Sequence, residues 1–214
     1  MNNTRYLSEN ASAELINAIK KMGCDVLTVG PAENVNTPIA SHPDIQMCRL
    51  GFHANDPVVF AEQVEIASIY PEDVAFNAAC TGRYFIHNLK YTNPRLLSAA
   101  KSSGMTLVDC KQGYAKCSTV IVDEKSIITY DEGLALACRN AGMDVLTVRP
   151  GHVILEGYNT GFIGGCSGRI GDTIIFNGNI NQHPDGDSII KWIESRGLKC
   201  LALDYPLTDI GSII

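Results

Sequence analysis

The sequence predicts an α/β protein built from five repeated units around an axis, and two observations carry that prediction. Four segments read as an amphipathic helix that stops at glycine and turns into a short apolar strand. Five short apolar segments begin at Cys48, Cys80, Cys117, Cys166 and Gly211, spaced 32 to 49 residues apart and about 41 on average. A period of that size marks an array of supersecondary units that bury their faces against their neighbours.

Along the chain, the four helix-to-strand segments are 13–23 with 25–29, 96–104 with 106–108, 133–142 with 144–148, and 187–197 with 200–203. Each helical pattern ends on a glycine suited to the position just past a helix. Leu15, Ile16 and Ile19 in the first copy, and Ile189, Ile190 and Ile193 in the last, recur at helical spacing, so each helix has one face to bury. The apolar segments that open at cysteine or glycine are 48–52, 80–86, 117–122, 166–170 and 211–214. Three of them lead through a polar turn into a second strand, at 57–60, 126–129 and 173–176. The unit is therefore strand, hairpin partner, helix, strand, and five such units close around a narrow channel. The second unit lacks its helix, because 62–71 is rich in β-branched residues and ends at Pro71.

Composition limits the function. With 214 residues, 45% hydrophobic and 19% charged, the chain can bury one sizeable core, and a single domain over 1–214 is expected. Seventeen basic against 23 acidic residues give a net charge of −6, with no run of five like charges. That argues against nucleic acid or an anionic membrane surface as the main partner. No apolar stretch approaches the roughly 18 residues of a membrane helix. The first residues carry no signal-like apolar region, so a cytoplasmic location is expected. Eight cysteines with no C-x-x-C pair fit neither a disulfide framework in a reducing compartment nor a zinc ribbon.

The stretch 80–93, with Thr81-Gly82-Arg83 near its start and Thr92-Asn93 at its end, resembles a segment of the dimethylarginine dimethylaminohydrolases. The tail 204–214, with Leu207-Thr208, is similar to the tail of those enzymes. They belong to the guanidine-modifying superfamily, or penteins, and the resemblance implies a five-bladed β/α propeller with a catalytic channel along its axis. In that family, carboxylates of the first two blades hold a guanidinium, whose fixed planar donors want bidentate acceptors. A last-blade cysteine attacks the guanidinium carbon and a third-blade histidine moves protons. Matched by position, Asp44 is the first-blade acid and Arg83 the arginine that pairs with a substrate carboxylate. Asn77 stands where the second-blade aspartate would be. Gln112 or Tyr114 stands in place of the histidine, and Asp209, Ile210 and Gly211 stand where the nucleophile would lie. The resemblance thus implies a ligand-binding set of Asp44, Asn77, Arg83, Tyr114 and Asp209, without the family's Cys/His pair at its expected positions.

Three readings follow. The first is a binding protein that keeps the contacts to a small guanidino or amino-acid-like molecule. The second is a divergent hydrolase or amidinotransferase with Cys166 as relocated nucleophile and His152 upstream in the same unit. Paired glycines before Cys166 would let a ligand approach, while small buried cysteines also serve as simple core residues. The third is a non-catalytic interaction scaffold, which would show a plugged axis. Cys48, Cys80, Cys117 and Cys166 occupy equivalent repeat positions and are expected at one level on the axis, where four thiolates could hold a soft metal. No local spacing supports such a site, so neither metal nor cofactor is expected. His53, His87 and His183 read as ordinary surface or loop histidines.

Overall fold

The computed structural model describes residues 3–35 and 37–214. Its strands form five small separate sheets, which follow one another along the chain. The first pairs β1 (Thr4–Ser8) in parallel with β2 (Asp25–Val29) across helix α1 (Ala13–Lys21). After the single turn α2 (Pro43–Gln46), β3 (Met47–Arg49) and β4 (Val58–Phe60) form an antiparallel hairpin. No α-helix follows it. Gln63–Glu65 and Glu72–Val74 are short 3₁₀ turns, as the β-branched, Pro-terminated sequence there predicts.

The next three units repeat one plan. β5 (Ala79–Cys80) pairs antiparallel with β6 (Tyr84–His87), and helix α3 (Pro94–Ser102) returns the chain to β7 (Thr106–Asp109), parallel to β6. The same order recurs in β8 (Thr119–Ile121), β9 (Ser126–Thr129), α4 (Glu132–Asn140) and β10 (Asp144–Thr147). It recurs again in β11 (Ser167–Ile170), β12 (Thr173–Phe176), α5 (Gly186–Glu194) and β13 (Lys199–Leu201). The middle strands β6, β9 and β12 are buried throughout, because a helix covers one face and the neighbouring unit the other.

Helix boundaries follow local chemistry. Asn93 caps α3 by accepting the amides of Arg95 and Leu96, with Pro94 at the first helical position, so this helix starts two residues earlier than its apolar pattern predicts. Gly23, Gly104, Gly142 and Gly197 all take positive φ past the helix ends, as the sequence predicts. The predicted continuous segment 80–86 is instead a tight hairpin. Thr81 Oγ1 accepts the Tyr84 amide at 3.0 Å and folds the chain back on itself.

The first strands of the units approach one another in the order β3, β5, β8, β11. The tail completes the first unit: Tyr6 and Ile214 exchange backbone hydrogen bonds of 2.8 and 3.1 Å, so 213–214 is the hairpin partner β1 otherwise lacks. Ile213 N–H also reaches Ser167 O on β11 at 3.0 Å. Among the described residues apolar side chains gather in five clusters, and several of them join neighbouring units, as where Ile128 of β9 packs with Ile174 and Phe176 of β12.

Gly164 shows how tightly neighbouring units meet. A Cβ there would press into the backbone of Lys116 and Thr119. Gly164→Ala is expected to cost about 1–3 kcal/mol of stability, the usual penalty of overpacking, read by urea unfolding. A variant as stable as the parent would contradict that packing.

Candidate functional site

A cavity of about 80 Å³ opens among the segments that precede β3, β8 and β11 and the tail, lined by Ile39, His42, Ile45, Tyr114, Cys117, Leu155, Tyr158, Thr160, Phe162 and Asp209. Its floor is polar and buried: His42 is 4% exposed, and Cys117 and Asp209 are 3% each. Its rim, at Tyr158 and Thr160, faces solvent. Three of the walls are aromatic, with the Tyr114 and Phe162 rings 6.0 Å apart and Tyr130 stacked behind Phe162 at 5.7 Å.

The floor is set by long-range hydrogen bonds. Pro43 starts α2 and puts Asp44 in its first turn, fully buried. Asp44 Oδ2 accepts the Cys117 thiol at 2.9 Å and the Ser212 hydroxyl at 2.7 Å, while Oδ1 has no partner. The Asp44 amide donates to Gly211 O at 3.2 Å, and the His42 ring packs where a Gly211 side chain would have to be. Burial pushes the Asp44 carboxyl above the ordinary carboxylate range. Burial, then the charges of Asp44 and Asp209, push the Cys117 thiol well above its ordinary value, so it rests protonated and donates to Asp44.

Asn77, which stands where the resemblance implies an aspartate, is fully engaged with its neighbours. Its Oδ1 accepts the amides of Lys116 and Cys117, and its Nδ2 donates to Asp44 O at 3.2 Å and to Cys117 Sγ at 3.3 Å. An aspartate could accept but could not donate to the Asp44 carbonyl. Asn77 therefore positions Cys117. Asp209 accepts the Phe162 amide at 2.9 Å and the Gly211 amide at 2.9 Å, and burial pushes its carboxyl up to about 6. Tyr114 donates its hydroxyl to Asp73 at 2.6 Å and presents its ring to the cavity.

Asp44, Asn77, Tyr114 and Asp209 thus converge on one site, at which His42 is a residue sequence reasoning missed and Cys117, expected only as one of four axial cysteines, faces the cavity. Two other expected residues lie elsewhere. Arg83 is exposed in the hairpin turn with its guanidinium over the ring of its neighbour Tyr84, and it does not line the cavity. Cys166 is fully buried at the start of β11, packed with Val120, Ile174 and Phe176, and its thiol bonds Ile163 O at 3.1 Å. His152 is exposed, edge-on to His183 at 5.4 Å, and no hydrogen bond among the described residues joins it to Cys166. The glycines before Cys166 make room for protein: Gly164 for the Lys116 and Thr119 backbone, Gly165 for the Asp209 carboxylate.

The four cysteines do not share one set of partners. Cys48 and Cys80 meet at 3.5 Å, whereas Cys117 and Cys166 have separate partners. Two of the three histidines read as surface groups are buried. His87 bonds Thr92 at 2.7 Å and Gly113 O at 3.0 Å, and burial pushes its imidazole down to about 4; His183 is 3% exposed. His42, Cys117 and Asp209 each offer one donor atom within 4.8 Å of the others, a spacing that could hold one metal ion through nitrogen, sulfur and oxygen.

Because Asp209 titrates higher folded than unfolded, its contribution to stability is present in full below pH 4 and is lost as pH rises through about 6. Between pH 4 and pH 7 the stability of the parent relative to Asp209→Asn is expected to fall by at most about 3 kcal/mol, read by urea unfolding of both. A difference that stays flat or rises with pH would contradict this burial.

The model of a family of unknown function matches residues 52–214. No curated protein matches by sequence. Among solved structures, a dimethylarginine dimethylaminohydrolase bound as an adduct with 4-chloro-2-hydroxymethylpyridine is 10% identical, with a TM-score of 0.56 over 95% of this chain and 93% of that one. An agmatine deiminase of C. jejuni with substrate bound is 12% identical, with a TM-score of 0.40 over 56% of this chain and 46% of that one. This chain therefore spans less than half of that deiminase. The likeness to the dimethylarginine dimethylaminohydrolase shows a shared fold, the pentein fold. With its family model covering most of the sequence, the chain belongs to DUF6873, a family of unknown function.

Proposed function

We propose that the chain is one domain closing as a five-bladed propeller, and that its cavity binds a small guanidino or amino-acid-like cation. One observation carries the ligand reading: a buried carboxylate, Asp209, lies at the floor of a pocket walled by Tyr114, Phe162 and Tyr158. Aromatic faces and a desolvated carboxylate together favour a planar cation over a neutral or anionic guest. The pair of Tyr6–Ile214 hydrogen bonds supports closure. An interaction scaffold would instead need a plugged axis. The absence of any helix among the described residues long and apolar enough to span a membrane, together with eight free cysteines, fits a protein working in the cytoplasm.

The pocket takes a head group and leaves the rest of the ligand at the rim. No arginine or lysine lines it, so a substrate carboxylate would find no partner there. Agmatine should therefore bind at least as tightly as arginine or a methylarginine, and citrulline, which has no positive side chain, much more weakly. Saturating agmatine is expected to raise Tm by mass action in the parent and not in Asp209→Asn. Unchanged Tm with every one of these compounds would overturn the reading.

A second reading, a thiol-dependent C–N hydrolase or amidinotransferase, is favoured by the Cys117 thiol facing the cavity with Asp44 2.9 Å away to receive its proton. In that case Cys117→Ser abolishes product release from agmatine while the Tm shift persists.

A further inference from the structure

A second cavity, of about 30 Å³, is lined by Arg5, Arg49, Arg169 and Lys116. Lys116 and Cys117 are consecutive, yet they line different cavities, one basic and one acidic. Three of these four cations are deeply buried: Arg5 is 2% exposed, Lys116 7% and Arg49 8%. Burial and the neighbouring Arg5 charge pull the Arg49 guanidinium down to about 10.

Carboxylate charges reach them only at a distance: Asp44 and Asp209 act on Lys116, and Asp123, Asp172 and Glu124 on Arg169. Among the described residues none of the four joins an ion pair within 4.0 Å. Arg49 donates to the carbonyls of Thr4, Ala54 and Asp56, and its Nε has no partner. Among the described residues the Arg5 side chain donates to Thr4 O at 3.2 Å. Arg169 lies over the Phe52 ring at 3.9 Å and donates to the carbonyls of Val122 and Gly171. Among the described residues Lys116 Nζ makes no hydrogen bond, although its backbone amide is held by Asn77. Asp56, whose charge reaches Arg5 and Arg49, has its Oδ2 committed to the His53 amide at 2.7 Å.

Like charges buried together without a directly paired counterion are costly, and guanidinium forks with spare donors are the usual partners of oxyanions. A cavity of this size holds about two waters, or one small anion in their place. We propose that this cavity binds a small oxyanion, either free inorganic phosphate or the phosphate group of a small phosphorylated molecule.

The test uses the full chain. Inorganic phosphate and glycerol phosphate are titrated separately, with chloride at matched ionic strength as the control, and Tm and isothermal heats are read. A saturable Tm rise beyond chloride, weakened at least about tenfold in Kd by Arg169→Gln, supports the proposal. Tighter binding of glycerol phosphate identifies a phosphorylated molecule as the source, and equal or weaker binding identifies free phosphate. If Arg169→Gln does not fold, Lys116→Gln serves in its place. Neither probe exceeding chloride in the parent chain, or both variants binding phosphate as the parent does, overturns the proposal.

Discussion

The buried carboxylate of Asp44 is the contact on which the rest of the molecule depends. It lies in α2 between the first two units, accepts a thiol from the residue that leads into β8 and a hydroxyl from the tail, and its own amide also reaches the tail. Such a group is expensive to bury, and here two side-chain donors and no full counter-charge offset that cost. It fixes three distant parts of the chain at one point. The floor of the site, the seat of the tail against β1 and the orientation of Cys117 all follow from that junction.

The fold was legible in the sequence where it is local. Helices that end at glycine and strands that begin at cysteine are written within about ten residues of each other, so their repetition can be counted without a structure. The missing helix of the second unit was equally readable from its β-branched residues and Pro71. Turn geometry was harder. The hairpin at Thr81 depends on a side-chain oxygen capturing the Tyr84 amide, which no apolar pattern records.

The site was legible only in part, and the reason is distance along the chain. Cys117 meets Asp44 across 73 residues and Ser212 meets Asp44 across 168. The five-copy alignment placed Cys117 and Cys166 as equivalents, yet packing separates them: one lines a cavity and the other fills the core under α5. Arg83 shows the converse error. Its motif resembles a stretch of the dimethylarginine dimethylaminohydrolases, but a hairpin turn carries its side chain to the surface. Asn77 looked like a lost carboxylate, whereas its paired donor and acceptor roles are what hold the Lys116–Cys117 backbone. His42 was hidden in plain view beside Asp44, since nothing in its neighbours signals that its ring would rest against Gly211.

Closure through the Asp44 junction is tested most directly by native-state hydrogen exchange at the amides of Tyr6, Asp44 and Ile214. These three form no ladder within a continuous hairpin and are protected only if the tail stays docked. The account predicts that they exchange through global unfolding, with the same free energy as the buried strand β9. Exchange at the rate of an unstructured chain, while β9 keeps its protection, would show that the tail is loose and that the ring does not close.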